Sequence, residues 1–227
     1  MVRAILDGRK TQTRRVVKPP PDECWTAPIQ CERYHPTKVD RRTGETYPGD
    51  EVFGFADEES GWVSPYGGPG SRLWVKETFQ PLFDIDDAWS VDYKTGKGYR
   101  VSYPATDGIA EFYDAEDELS NACKPSILMP RWASRLTLEI TAVRVERLQD
   151  ISEADALAEG IKSFQVGYPR STGEPYVGYQ TEYGVENWIP TNSPKASLAY
   201  RRLWTDINGP GSWEKNPWVW VIEFKKP

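Results

Sequence analysis

Histidine and cysteine are scarce in this chain of 227 residues, which has one His (His35) and three Cys (Cys24, Cys31, Cys123). With a single histidine in a polar stretch, a hydrolase built on a Ser-His-Asp triad has no default starting point. Three cysteines are an odd number, and too few for a disulfide framework in a chain this long. With His35 they add up to a Cys3His zinc set. Yet six residues separate Cys24 from Cys31, three more precede His35, and Cys123 lies far away, which is not the spacing of a metal knuckle. Asp84, Asp86 and Asp87 lack the glycine and closing glutamate of a calcium loop and read as a solvated turn. Neither a metal nor another cofactor is expected. Long apolar runs are missing too. None approaches membrane-spanning length, and the N-terminus has no signal-peptide stretch. The expectation is a cytoplasmic protein, monomeric and with no membrane partner.

The formal net charge of -6 speaks against a broad basic surface for long nucleic acid. Locally the balance reverses. Arg3, Arg9, Lys10, Arg14, Arg15 and Lys18 stand against Asp7 alone in the first eighteen residues. Such a cluster is either a basic pocket for one nucleotide or a polarised carbonyl, or a solvated helix end. The 10 Trp and 12 Tyr suit a core, and they also suit pockets for flat ligands. At 38% hydrophobic and 27% charged residues, the chain reads as one globular domain, 1–227.

Local pattern places the elements. Val2 to Asp7 reads as a short helix stopped by Gly8. From Thr11 to Val17 the chain looks extended, with Thr11, Thr13 and Arg15 on one face. About 28–70 reads as an irregular excursion with one hairpin around Arg42-Thr43-Gly44-Glu45, and Leu73-Trp74-Val75 as a buried strand. Residues 136–145 alternate as a strand. A helix follows, with Ser152 as N-cap and Gly160 at its end. The stretch from Gly167 to Trp188 suggests a hairpin-like insertion. Ser193-Pro194 opens another helix with Tyr200, Leu203, Trp204 and Ile207 on one stripe, and 218–224 is a terminal strand.

The segment Gly8-Arg9-Lys10-Thr11-Gln12-Thr13-Arg14-Arg15 resembles the signature of the ASCH family, a helix-ending Gly-x-Lys-Thr followed by x-Thr-x-Arg. Pro69-Gly70-Ser71-Arg72-Leu73-Trp74-Val75 is similar to its Gly-Asp-x-Leu-x-Val strand opening, with Ser71 in place of the acid. The closing Val221-Ile222-Glu223-Phe224 resembles its last strand. One departure is that relatives carry a short strand before the helix with which this chain opens. The resemblance implies an α+β fold, a small PUA-like barrel with helices packed at its ends. Long insertions would fall at about 19–68, 84–125 and 165–192, as in the larger bacteriophage and prophage members. It further implies a nucleoside or nucleobase substrate. A compact branch of the family hydrolyses N4-acetylcytidine with a Lys, a Thr three residues on, and a Glu in the helix after the long strand. These fall on Lys10, Thr13 and Glu159, with Arg15 on the signature arginine.

The chemistry suits those residue types. Amide hydrolysis needs a nucleophile, a base and a stabiliser for the developing oxyanion. Thr13 offers a hydroxyl. Lys is a known alternative base for a hydroxyl nucleophile, and burial together with the neighbouring arginines would favour its neutral form. Glu159 either orients Lys10 or delivers a proton to the departing amine, whereas its place opposite Leu157, taken alone, suggests a solvent-facing residue. Arg15 would either polarise the acyl carbonyl or hold a ring oxygen. Glu77 and Trp74 complete the expected substrate contacts, although a strand-end carboxylate is more often ordinary surface. Trp74, Trp132 and Trp218 either stack a base or fill the core. The insertions are expected to decide acyl size.

Two other functions fit the same resemblance, a non-catalytic reader of RNA or a modified base, and a ribonuclease using Lys10, Arg14 and Arg15. Because of the -6 balance, RNA binding is expected to be weak and steeply salt-dependent. Titration of labelled RNA at two salt concentrations checks this, and tight, sequence-selective binding at physiological salt would favour the reader.

Overall fold

The computed structural model describes residues 1–227 apart from 22–24, 58–59, 84–91, 114–118, 168–175 and 181–194. The fold is mixed α+β and strand-rich. Two compact units make it up. Met1, 3–71 and 139–225 form the first, and 72–138 with Val2 and 226–227 form the second. No helix among the described residues is long and apolar enough to cross a membrane.

The chain opens with α1 (Val2–Leu6), which ends as expected with Gly8 at φ +74°. β1 (Gln12–Val16) alternates, burying Gln12 and Arg14. The excursion that follows is more ordered than its sequence suggests, with β2 (Ile29–Gln30), β3 (Glu32–Tyr34), β4 (Thr37–Val39), β5 (Thr46–Pro48), β6 (Val52–Ala56) and β7 (Gly61–Val63). β4 and β5 are the expected hairpin. Asp40 Oδ1 pins its turn by accepting from the Arg42 and Thr43 N–H groups at 2.7 and 3.1 Å. β3, β6 and β7 form an antiparallel sheet. Aromatic packing holds it, with Phe55 and Trp62 stacked at 5.0 Å and Trp25 edge-on to both. Strands of three to five residues are too short to show a period, so the sequence hid this sheet.

In the second unit, β8 (Arg72–Trp74) is a strand as expected, but half-buried rather than buried. Lys76 and Arg131 lie over the Trp74 ring at 4.9 and 5.9 Å, so charged groups cover it in place of a hydrophobic core. β9 (Gln80–Phe83) and β10 (Tyr99–Ser102) pair, α2 (Pro104–Asp107) follows, and β11 (Phe112–Tyr113) pairs β12 (Leu119–Ser120). Phe79, Met129 and Ala133 form its core. Trp132 is half-buried and donates from Nε1 to Tyr93 O at 2.8 Å.

The return to the first unit brings β13 (Thr137–Arg147), α3 (Glu153–Ala158), β14 (Lys162–Gly167), β15 (Tyr176–Gln180), α4 (Ala196–Asn208) and β16 (Trp218–Lys225). β14 and β15 pair, so the expected hairpin begins earlier than Gly167, and the rest of that insertion lies outside the described residues. So does the helix opening at Ser193-Pro194; the described helix starts at Ala196. The central sheet runs β1-β16-β13-β2, antiparallel throughout, and among the described residues it does not close into a barrel. β16 is buried on both faces, hence its continuous apolar run. Val219 and Val221 pack with α3 and α4, while Trp220 faces Phe55 at 5.6 Å. A register shift between Ile140 and Ala142 changes the phase of β13. Val143 and Val145 take over the buried positions, and Arg144 and Glu146 fall opposite Val221 and Val219, on the face that carries the helices.

α3 and α4 are joined by a side chain. α4 has no cap of its own, and Glu153 of α3 supplies one. Its carboxylate accepts from the N–H groups of Ala196 at 2.6 Å and Ser197 at 3.3 Å, and from the Ser197 hydroxyl. Glu153→Ala should therefore cost about 0.5–2 kcal/mol, the usual worth of an N-cap. A thermal melt should show a fall of about 2–4 °C per kcal/mol in a chain of this size. An unchanged melting temperature would mean that the cap contributes nothing.

Candidate active site

Four of the residues singled out by sequence come together in the first unit. Lys10, Thr13, Arg15 and Glu159 line one pocket, joined by Arg14 and by Tyr200 from α4. Its cavity volume is about 80 Å³ and it opens to solvent, small beside the roughly 300–1,000 Å³ of sites that enclose a whole drug-sized ligand. β1 is an edge strand of the sheet, so residues from both of its faces can line the same pocket. Arg14 shares the helix-bearing face with Val221 and Arg144, whereas Thr13 and Arg15 lie opposite Ile222 and Trp220 on the other.

Lys10 and Glu159 meet because α3 ends where β1 begins. Thr11 N–H donates to Ala158 O, and the backbones of Lys10 and Glu159 form a bridge. Gly160, at φ +97°, makes the approach possible. A Cβ there would sit 3.2 Å from those of Ala4 and Lys10. Glu159 is therefore 6% exposed, not the solvent-facing residue that its helical position suggests, and Lys10 is 4% exposed. Lys10 Nζ donates to Glu159 Oε2 at 2.6 Å and to its backbone oxygen at 2.9 Å. Burial holds the Lys10 amine below the ordinary lysine value, and the cations Arg15 and Arg14 act in the same direction; Glu159 opposes them without reversing the shift.

Much rests on Arg14, which the sequence marks as one of a basic cluster and as a ribonuclease candidate but not as the centre of a buried network. Arg14 is 1% exposed. Its Nη2 lies 2.6 Å from Glu146 Oε1 and 3.3 Å from Asp155 Oδ2, and its Nη1 lies 3.3 Å from Glu159 Oε1. Arg144 extends the network to Glu146, Asp155 and Glu223 at 3.1, 3.1 and 2.6 Å. Burial pulls the Asp155 carboxyl upward, but the Ser152 side chain, Arg14 and Arg144 together hold it below the usual range. Tyr200 was legible only as part of a helix stripe. Its hydroxyl approaches Glu159 Oε1 at 3.5 Å, and burial pushes the phenol well above the usual range, with Glu159 adding to it. The phase of β1 and the register shift in β13 were the available signals for Arg14 and Glu146. Neither identifies a partner.

The remaining candidates lie elsewhere in the chain. Trp74 and Glu77 belong to the second unit, where the buried Glu77 holds Arg135 through two contacts of 2.9 Å above the Tyr103 ring. Trp218 is core, with Arg147 over its ring at 4.3 Å. His35 engages Gly49 O through Nδ1 at 2.9 Å. Cys31 and Cys123 are free thiols, that of Cys31 pushed up to about 12 by burial. Cys24 and the Asp84, Asp86, Asp87 group lie outside the described residues.

In comparisons with known proteins, no family model, no curated protein and no solved structure matches this chain. Chemically, the pocket is lined by a buried amine held by a carboxylate, by a threonine from the other face of β1, and by an exposed guanidinium.

The Arg14 network also makes a stability prediction. Arg14→Met leaves Glu146, Asp155 and Glu159 short of a buried counter-charge, which should cost about 3–5 kcal/mol. Breaking the exposed Arg201–Glu214 pair should cost less than about 1 kcal/mol. Urea denaturation of Arg14→Met and Arg201→Met compares the two, and equal losses would refute the central role of Arg14.

Proposed function

We propose that this chain is an ASCH-type protein with a small PUA-like barrel, and an amidohydrolase that removes the acyl group from N4-acylated cytosine nucleosides. The observation that carries this reading is the buried Lys10–Glu159 pair, facing a pocket that Thr13 and Arg15 also line. It is supported by the lowered basicity of Lys10, since a base for a hydroxyl must be neutral for part of the cycle.

Neutral Lys10 takes the proton of the Thr13 hydroxyl as its oxygen attacks the acyl carbon, and Arg15 faces the oxyanion that forms. The C–N bond breaks, and the departing N4 amine receives the proton from Lys10. Water then attacks the threonine ester with Lys10 again as base, releasing the carboxylate and restoring the hydroxyl. Of the two roles weighed for Glu159, orientation is favoured. Lys10 occupies one of its oxygens, and Arg14 and the Tyr200 hydroxyl approach the other. A carboxylate so engaged holds the amine in place and has no free oxygen to present to a leaving group.

Ultraviolet monitoring of N4-acetylcytidine with purified protein tests the reading. Release of cytidine is expected, with a rate that rises with pH through an apparent pKa below 10.5, because Lys10 is lowered from that value and acts in its neutral form. Thr13→Val and Lys10→Met should each lose about 100-fold or more in kcat, the usual scale for general acid–base catalysis. Glu159→Gln should lose less, to the same degree for good and poor leaving groups. Wild-type turnover in Thr13→Val or Lys10→Met would sink the assignment. Cleavage of RNA without release of cytidine would favour the ribonuclease.

A further inference from the structure

The charged floor of the pocket has an apolar wall beside it. Tyr200, Leu203, Trp204 and Ile207 recur at i, i+3, i+4 and i+7 along α4, and all four line the pocket, as does Val16 of β1. At the inner end Tyr200 and Trp204 are buried, with the Tyr200 hydroxyl on Glu159. Leu203 is half-buried, and Ile207 at the outer end is 52% exposed. Seven residues of helix carry this stripe about 10 Å away from the carboxylate. An isolated exposed isoleucine is ordinary. Here it continues an apolar stripe whose inner end, Tyr200, carries its hydroxyl to Glu159.

We infer that this wall is the acyl-chain subsite of the enzyme, and that the preferred substrates carry an aliphatic acyl group longer than acetyl. The inference rests on the amidohydrolase reading. With the amide carbon at Thr13 and Lys10, the acyl chain and the base leave it in opposite directions. The ring edge of an acylated cytosine carries acceptors at its carbonyl and ring nitrogen, which an aliphatic wall cannot serve. An alkyl chain needs no donor, and Leu203, Ile207 and Val16 offer none. Asn208, also at the pocket, turns its amide back onto Trp204 O at 3.0 Å. The wall, rather than the insertions, then sets acyl size.

Steady-state kinetics with the acetyl, butyryl and hexanoyl derivatives of N4-acylcytidine, on the wild type and on Ile207→Ser, test this. In the wild type kcat/KM should rise about tenfold from acetyl to butyryl, since one buried methylene contributes roughly fourfold at full burial. It should rise again to hexanoyl, and Ile207→Ser should flatten that second rise. The exposure of Ile207 keeps the substitution from threatening the fold. Calorimetric titration with acetate and hexanoate reads the wall without turnover, and hexanoate should bind several-fold tighter to the wild type but not to Ile207→Ser. Turnover fastest on acetyl, or the same chain-length profile in Ile207→Ser, overturns the acyl subsite and leaves the amidohydrolase standing. No hydrolysis of any member overturns the amidohydrolase reading, and the subsite with it.

Discussion

A guanidinium buried in the first unit, that of Arg14, sets the terms for much of what surrounds it. Taking ions out of water costs several kcal/mol each even after relaxation, and the cost is offset only when every charge finds close partners. Lys10, Arg14 and Arg144 meet Glu146, Asp155 and Glu159 at 2.6–3.3 Å, with Glu223 at the half-exposed rim. Those partners come from β1, β13, α3 and β16. Each of these elements must be in register for the charges to be satisfied, so the network ties the architecture of the first unit to its pocket. Its Lys10–Glu159 corner is the part that faces the pocket.

Several local devices serve that arrangement. The register shift in β13 moves Arg144 and Glu146 onto the helix-bearing face. Gly160 lets the end of α3 close onto Lys10, a contact that a larger residue would obstruct from a strained backbone. Glu153 fastens α4 to α3, so the helix that supplies Tyr200 and the segment that supplies Glu159 are linked through one carboxylate. The apolar side of the pocket is built from the same α4 stripe. Tyr200 and Trp204 also fill the core with Val219 and Val221, and the whole stripe lines the pocket.

Much of this was legible in local pattern. Ser152 caps α3, Gly8 and Gly160 stop helices, and the strands at 137–147 and 218–225 follow their apolar alternation and run. Lys10, Thr13, Arg15 and Glu159, singled out by resemblance to a family signature, do line a single pocket. The short sheet of β3, β6 and β7 escaped notice because its stability comes from Trp25, Phe55 and Trp62 meeting across separate strands. Trp74 read as a core strand residue, yet cations cover it.

By itself the sequence determined what depends on neighbours in the chain, such as caps, turns, strand phase and the order of elements, since near residues set backbone preference. Which charges are buried together was decided by tertiary structure alone. Arg14, Glu146, Asp155 and Glu159 span more than a hundred residues of chain, and a coulombic partner at 3 Å leaves no trace in spacing. The same holds for Glu159. Its helical position, read alone, turns it toward water, and only the approach of Lys10 over Gly160 places it in the pocket.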